Sequence, residues 1–160
     1  MNESQEELEK VYVDLPNHWA VGGESMWAKS LGNNLFEICN APFYAYGLNW
    51  GDVVRAESAE SNLKPEVLEV VKPSGNKTLR IYFAEKADEN SQTEYLKTLK
   101  QFKVSYERAN DNLVALDIEP DADYDALCDK LWKLEQEGIL EYETCESRVQ
   151  NKFDDEPEED

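Results

Sequence analysis

The order of secondary-structure elements in the second half of the chain constrains the fold more than any other feature. Hydrophobic alternation and the helical spacing of apolar residues divide residues 75–147 into six predicted elements. They are strands at 78–83, 104–107, 113–118 and 140–145, with helices at 91–102 and 121–137. In chain order they read β-α-β-β-α-β, the order of the ferredoxin-like split βαβ arrangement. We therefore predict a ferredoxin-like α+β unit over residues 75–147.

Both predicted helices carry capping signals. Ser91 is followed three residues later by Glu94, the spacing of a capping box, so the first helix is predicted to begin there. The second is predicted to begin near residues 121–123 and to end at Gly138.

The first half of the chain reads as short strands separated by turns. The predicted strands lie at 10–15, 24–31, 34–39, 52–57 and 67–72. Such a series indicates an antiparallel sheet or a small barrel over residues 10–74. The turn Pro73-Ser74-Gly75-Asn76 marks the predicted boundary between the halves. Acidic composition predicts a disordered lead-in at 1–9 and a disordered tail at 148–160.

An aromatic stretch at residues 40–54 has two interpretations. Proline and glycine bend the backbone there, and four aromatic side chains lie between the bends. The first interpretation is a corner of the core that joins two strands, because buried aromatics supply much of a small domain's apolar area. The second is a recognition surface on which Tyr44, Tyr46 and Trp50 anchor a partner.

The charge of the chain favours one class of partner. The net charge is −19, and ten of the acidic residues lie in the first nine and last seven positions. Without those ten, 25 acidic residues remain against 16 basic ones, so the body is acidic in its own right. An acidic surface disfavours DNA, RNA and anionic membranes and favours a basic protein partner.

The termini and cysteines predict a cytoplasmic location. The chain starts Met-Asn-Glu-Ser-Gln-Glu-Glu, which has neither the basic nor the apolar part of a secretory signal. No apolar run approaches transmembrane length. Three widely spaced cysteines do not match a disulfide framework or a zinc site, so we predict neither metal nor cofactor.

Catalytic constellations are not evident in the sequence. The single histidine, His18, cannot complete a multi-histidine metal site, and no phosphate-binding glycine loop occurs. A small-molecule pocket is an alternative, in which Glu24, Asp52 and His18 would line a pocket beside Trp27 and Trp50. A carboxylate buried there would acquire a raised pKa.

An acidic junction precedes the second predicted helix. It consists of five carboxylates in nine residues, Asp117, Glu119, Asp121, Asp123 and Asp125. Aspartates at a helix N-terminus cap backbone amides and oppose the helix dipole, and this is the preferred interpretation. A cation site is the alternative, although the central glycine of an EF-hand loop is missing. Carboxylates beyond the needs of a cap predict a basic partner surface.

Several motifs resemble those of the bacterial domain-of-unknown-function family 4265. They are Glu24-Ser25-Met26-Trp27-Ala28, Leu31-Gly32, Asn40-Ala41-Pro42-Phe43-Tyr44-Ala45-Tyr46-Gly47, Gly51-Asp52-Val53-Val54 and the segment from Ser74 to Arg80. The resemblance runs from Lys10 to Glu146 and is more specific in the first half. It implies a small bacterial cytoplasmic protein of a kind suspected of acting as immunity proteins against toxins.

Charge and resemblance together predict a non-enzymatic inhibitor. An acidic body suits a basic toxin surface, because complementary charge speeds association. We expect an immunity protein against a cognate bacterial toxin. The alternative is a regulator that inhibits a cellular ribonuclease, since an acidic ferredoxin-like protein with an acidic tail is similar to such regulators. A small-molecule-binding domain or enzyme is the third possibility.

Overall fold

A computed structural model describes residues 7–18, 21–61, 63–149 and 152–155. The chain divides into two compact units. The first comprises residues 1–74 together with 146–160, and the second comprises residues 75–145. The division falls within the turn that starts at Pro73.

The first unit is a closed five-stranded barrel in which neighbours along the chain pair in sequence order. Its strands are β1 (Glu9–Asp14), β2 (Gly23–Gly32), β3 (Leu35–Ile38), β4 (Val53–Glu57) and β5 (Glu66–Lys72). Consecutive strands pair antiparallel, whereas β1 and β5 close the barrel in parallel. Parallel closure follows because an odd number of alternating strands leaves the first and last running the same way.

The barrel core is built by period-two alternation. Val11 and Val13 of β1 and Met26 and Ala28 of β2 are almost fully buried, and the residues between them face outward. The turn between β2 and β3 has the sequence Gly32-Asn33-Asn34. Asn33 has a φ of 56° there, in the left-handed region that asparagine tolerates.

The second unit is a four-stranded antiparallel sheet with two helices. Its elements are β6 (Lys77–Phe83), α1 (Glu89–Leu99), β7 (Val104–Arg108), β8 (Leu113–Ile118), α2 (Tyr124–Gln136) and β9 (Leu140–Thr144). The strand order is β7-β8-β6-β9, so β7 and β9 are the edges. Apolar side chains of both helices join one face of β6 and β8 in a single core. The predicted α+β fold is confirmed, and of the two forms predicted for the first half, an antiparallel sheet or a small barrel, the structure has the barrel.

The predicted start of α1 was wrong. The helix begins at Glu89, and its cap is Asp88, whose side chain accepts the backbone N–H of Ser91. Ser91 therefore donates its backbone N–H to the N-cap residue and is not itself the N-cap. A cap from Asp88 is favoured because an aspartate side chain reaches the third amide of the helix and its charge opposes the helix dipole.

The predicted disordered tail was also wrong for the part that the structure describes. Asp154 is 1% exposed, and its Oδ2 accepts the backbone N–H of Asn17 at 2.8 Å. The carbonyl of Phe153 accepts the N–H of Tyr46 at 2.9 Å. These contacts hold residues 152–155 in the barrel unit because they satisfy amides that the barrel leaves without strand partners. Residues 1–6, 150–151 and 156–160 of the predicted termini lie outside the described residues.

Candidate partner-binding surfaces

Glu24 shapes the beginning of the aromatic stretch. This residue of β2 is 7% exposed. Its Oε2 accepts the backbone N–H of Phe43 at 2.6 Å, and its Oε1 accepts those of Tyr44 and Ala45 at 3.0 Å. One buried carboxylate therefore satisfies three consecutive amides that a tight turn leaves without backbone partners.

Asp52 has the same kind of role at the end of the stretch. It is 2% exposed, and its two oxygens accept the backbone N–H groups of Asn49 at 2.9 Å and Ser74 at 2.8 Å. Burial raises the pKa of Asp52 above its ordinary value, although the two N–H donors oppose this rise. Like Glu24, Asp52 binds backbone amides.

Glu24 and Trp27 do not face one pocket, so the proposed grouping of Glu24, Trp27 and Asp52 is corrected. The two residues are three positions apart on β2, and such side chains point to opposite faces of a strand. Glu24 faces inward, whereas Trp27 is 46% exposed. Lys10, directly opposite on β1, places its Nζ 4.9 Å from the Trp27 ring centroid.

Trp50 is the exposed one of the three aromatic residues predicted to contact a partner. Tyr46 is 1% exposed, and the guanidinium carbon of Arg148 lies 4.3 Å from its ring centroid. Tyr44 packs on the barrel core and meets the edge of His18 at 5.3 Å. Trp50 keeps 37% of its surface exposed. Tyr44 and Tyr46 therefore belong to a corner of the core.

Three carboxylates of the acidic junction have partners within the second unit. Asp117 is 9% exposed and accepts Nδ2–H of Asn76 at 3.0 Å. Asp121 forms an ion pair with Lys103. Asp123 is the N-cap of α2. The capping interpretation therefore holds for Asp123, while Asp117 and Asp121 stabilise neighbouring segments.

The other two carboxylates, Glu119 and Asp125, are exposed, and Asp125 continues into an acidic face of α2. Asp125, Asp129 and Trp132 follow one another at spacings of four and three residues, which places them on one side of the helix. The ring of Trp132 is 54% exposed. We call Asp125, Asp129 and Trp132 the α2 face. Sequence reasoning missed Trp132, although it lies off the buried stripe of Leu127, Leu131 and Leu134.

We expect the pKa of Asp117 to lie above the ordinary aspartate value and the pKa of Asp121 to lie below it. Burial raises the pKa of Asp117, and the hydrogen bond from Lys103 lowers that of Asp121. On acidification Asp117 should therefore take up its proton before Asp121, as measured by the side-chain carboxyl carbon shifts in an NMR titration. Because the pKa of Asp117 is higher in the folded than in the unfolded protein, the contribution of this carboxyl to stability is fully present below the unfolded-state pKa. It is lost as the pH rises through the folded-state pKa.

A lysine variant provides the control for this titration. Lys103→Met should return the pKa of Asp121 towards its ordinary value and leave that of Asp117 unchanged. Equal pKa values for the two carboxyls in the wild-type protein would contradict the assignment.

A buried ion pair between β6 and β9 was not predicted from the sequence. Arg80 of β6 is 0% exposed, and its Nε donates to Oε1 of Glu143 on β9 at 2.9 Å. The two residues are direct cross-strand partners. Thr78, Arg80 and Tyr82 lie on the face of β6 opposite Leu79 and Ile81, and that face reads as solvent-exposed in the sequence. No sequence signal marks it as buried.

Helix length and the grouping of ligand-type side chains are known for the described residues. No helix among them is long and apolar enough to cross a membrane. Within the same residues, no three acidic, histidine or cysteine side chains are grouped closely enough to hold a metal ion.

Comparison with known proteins identifies a family and a fold. The family model described as a domain of unknown function (DUF4265) matches residues 24–142. The solved structure of a hypothetical protein from Neisseria gonorrhoeae is similar, with a TM-score of 0.72 and 18% sequence identity. The similarity covers 86% of this chain and 95% of that one, and at this identity it shows the fold alone. No curated protein matches the sequence.

Proposed function

The chain belongs to the DUF4265 family, a domain of unknown function, and we propose that it is a non-enzymatic acidic protein that binds and neutralises a basic protein. The partner in this proposal is the toxin of a bacterial toxin–immunity pair, met in the cytoplasm. A ferredoxin-like second unit would carry the contact surface. The chain would act stoichiometrically by covering the partner's basic surface.

The α2 face is the observation that carries this proposal. An exposed tryptophan beside carboxylates is suited to a lysine or arginine side chain, because the cation can lie on the ring while its charge is neutralised. Tryptophan is also among the residues that contribute most to protein interfaces. Trp132 is the most exposed of the large apolar side chains in the described part of the chain.

The charges of both units support a basic partner. The second unit has 16 acidic and 9 basic residues, and the first has 19 and 7. The acidic character is therefore not confined to the chain ends. A field of one sign attracts an oppositely charged protein and raises its association rate, and salt weakens this effect.

Removal of the α2 face should weaken binding in two separable ways. We expect Trp132→Ala to raise the dissociation constant about 30-fold, because truncation of an anchor residue costs about 2 kcal/mol. Asp125→Asn with Asp129→Asn should mainly slow association at low salt, because charges at the rim of an interface steer the encounter. Stopped-flow fluorescence with the basic protein that co-purifies with this chain, across a salt series, measures both effects.

A charge-matched variant elsewhere on the surface provides the control. Glu60→Gln with Glu66→Gln removes two exposed charges of the first unit that are not part of the α2 face. It should leave the affinity within about twofold, since isolated surface charges contribute little. If both double variants behave alike, general charge and not the α2 face governs association. If no toxin co-purifies with the chain and a cellular ribonuclease does, the ribonuclease alternative replaces the toxin.

A further inference from the structure

The edge strand β7 of the second unit's sheet has backbone groups to which no other strand of the described residues bonds. The N–H of Ala109 donates to the carbonyl of Leu113, and the N–H of Glu119 donates to that of Lys103. Since hydrogen-bonded pairs alternate along an antiparallel ladder, the odd-numbered residues of β7 bond to β8. The N–H and C=O groups of Val104, Tyr106 and Arg108 must then point away from β8, to a side where no strand of the described residues pairs with them.

The opposite edge strand, β9, has an outward backbone group that is hydrogen-bonded to a side chain of α2. The N–H of Ala84 donates to the carbonyl of Ile139, so these two residues are a hydrogen-bonded pair at the start of the β6–β9 ladder. Because such pairs alternate, the backbone N–H and C=O groups of Tyr142 on β9 point away from β6. Glu135 of α2 accepts the backbone N–H of Tyr142 at 3.2 Å and so covers the middle of that edge. Exposed sheet edges are sites at which another chain can add a strand.

A cleft with unpaired carboxylates lies at the C-terminal end of β7. Its volume is about 490 Å3, and its lining includes Arg108, Glu85, Glu89 and Asp111. Arg108 is held by the buried Gln92, whose Oε1 accepts from Arg108 Nη1 at 2.7 Å. Within the described residues, none of the three carboxylates forms an ion pair. The cleft therefore has an excess of negative charge.

We propose that β7 accepts an extended basic segment of the partner as a fifth strand of this sheet. Main-chain hydrogen bonds from Val104, Tyr106 and Arg108 would hold the segment, and the cleft would receive a lysine or arginine side chain from it. Tyr106, which is 36% exposed, lies beside the added strand and supplies an aromatic contact. This inference rests on the proposed function, because a basic partner supplies the charge that complements the cleft.

The test uses a ten-residue peptide in which lysine alternates with valine. It should slow amide hydrogen exchange at Val104, Tyr106 and Arg108 of the full chain. The matching glutamate–valine peptide, and a lysine–valine peptide with a central proline, should bind at least tenfold more weakly. Equal affinity for the proline-containing peptide would overturn the proposal, because it would show that charge alone drives binding.

Two substitutions at one position separate the backbone from the side chain. Tyr106→Pro removes an outward N–H and leaves the ladder to β8 intact, since proline is tolerated where an edge N–H faces solvent. It should weaken peptide binding at least tenfold, whereas Tyr106→Val should stay within about threefold. Equal affinities for these two variants would overturn the proposal. A circular dichroism melt identifies a Tyr106→Pro protein that fails to fold, and the exchange measurement on Tyr106→Val then decides the outcome.

Two further outcomes distinguish strand addition at β7 from binding at the α2 face and from self-association. If the peptide binds in a way that Trp132→Ala abolishes while the β7 amides stay unprotected, the edge proposal fails and the α2 face stands. Protection at β7 that Trp132→Ala leaves unchanged supports the edge even if the α2 face has no role. If free protein sediments as a dimer that Tyr106→Pro converts to monomer, the occupant of the edge is a second copy, and the basic segment is ruled out.

Discussion

Glu143→Gln should lower the free energy of unfolding by about 3 kcal/mol, because it removes a charged partner of a fully buried arginine. Arg80 has no solvent exposure, so its guanidinium would lose the ion pair with Glu143 in a place that water does not reach. Glu143 itself is partly exposed, which places the expected effect at the lower end of the range for buried pairs. Urea denaturation followed by far-UV circular dichroism measures the change.

A neighbouring glutamate and a double variant make this prediction specific. Glu141→Gln changes an exposed side chain on the same strand, and its effect should be below about 0.5 kcal/mol. Arg80→Met combined with Glu143→Gln should recover most of the lost stability, since an apolar side chain of similar size needs no charged partner. If Glu143→Gln is as stable as Glu141→Gln, the pair does not anchor the sheet.

Glu24→Gln should destabilise the protein by about 2 kcal/mol, because the amide cannot accept all three backbone N–H groups of the turn. The amide oxygen can keep the bonds from Tyr44 and Ala45, but the amide NH2 then faces the N–H of Phe43, and two donors repel. Glu24→Ala should cost more, about 4 kcal/mol, because it also leaves a cavity. Thermal unfolding monitored by circular dichroism gives both values.

The control for Glu24 is a glutamate on the next strand that holds no turn. Glu9→Gln, at the exposed start of β1, should lie within about 0.5 kcal/mol of wild type. The exchange rates of the Phe43, Tyr44 and Ala45 amides should rise in Glu24→Gln and stay unchanged in Glu9→Gln. Unchanged rates in both variants would show that another group holds the turn.

Most elements of the fold were predictable because their periodicity reports the burial of one face. The alternation in β1 and the leucine stripe of α2 located these elements to within about three residues. Element ends were less predictable, since Ser91 and Asp88 both suit a cap and only the folded geometry shows that Asp88 supplies it.

The site was less predictable because it depends on tertiary burial. Ionisable side chains near turns suggested a pocket, but Glu24 is satisfied by amides 19 to 21 residues away. Asp52 accepts one amide from Ser74, 22 residues away, and one from Asn49, three residues away. Partners so far apart along the chain cannot be recognised from the sequence, because only the folded backbone brings them together. Acidic composition likewise suggested a free tail, whereas Asp154 has a specific amide partner 137 residues earlier. Trp132 was within reach of the helical periodicity, which places it opposite the buried leucines.

The central claim is that the α2 face contacts a basic protein in the cell. Site-specific photo-crosslinking tests it directly, with benzoylphenylalanine placed at Trp132 in the native host and, as control, at the exposed Gln101. Mass spectrometry should identify one basic protein crosslinked at position 132 and absent at position 101. Crosslinks that are equal at both positions, or an acidic protein at position 132, would contradict the account.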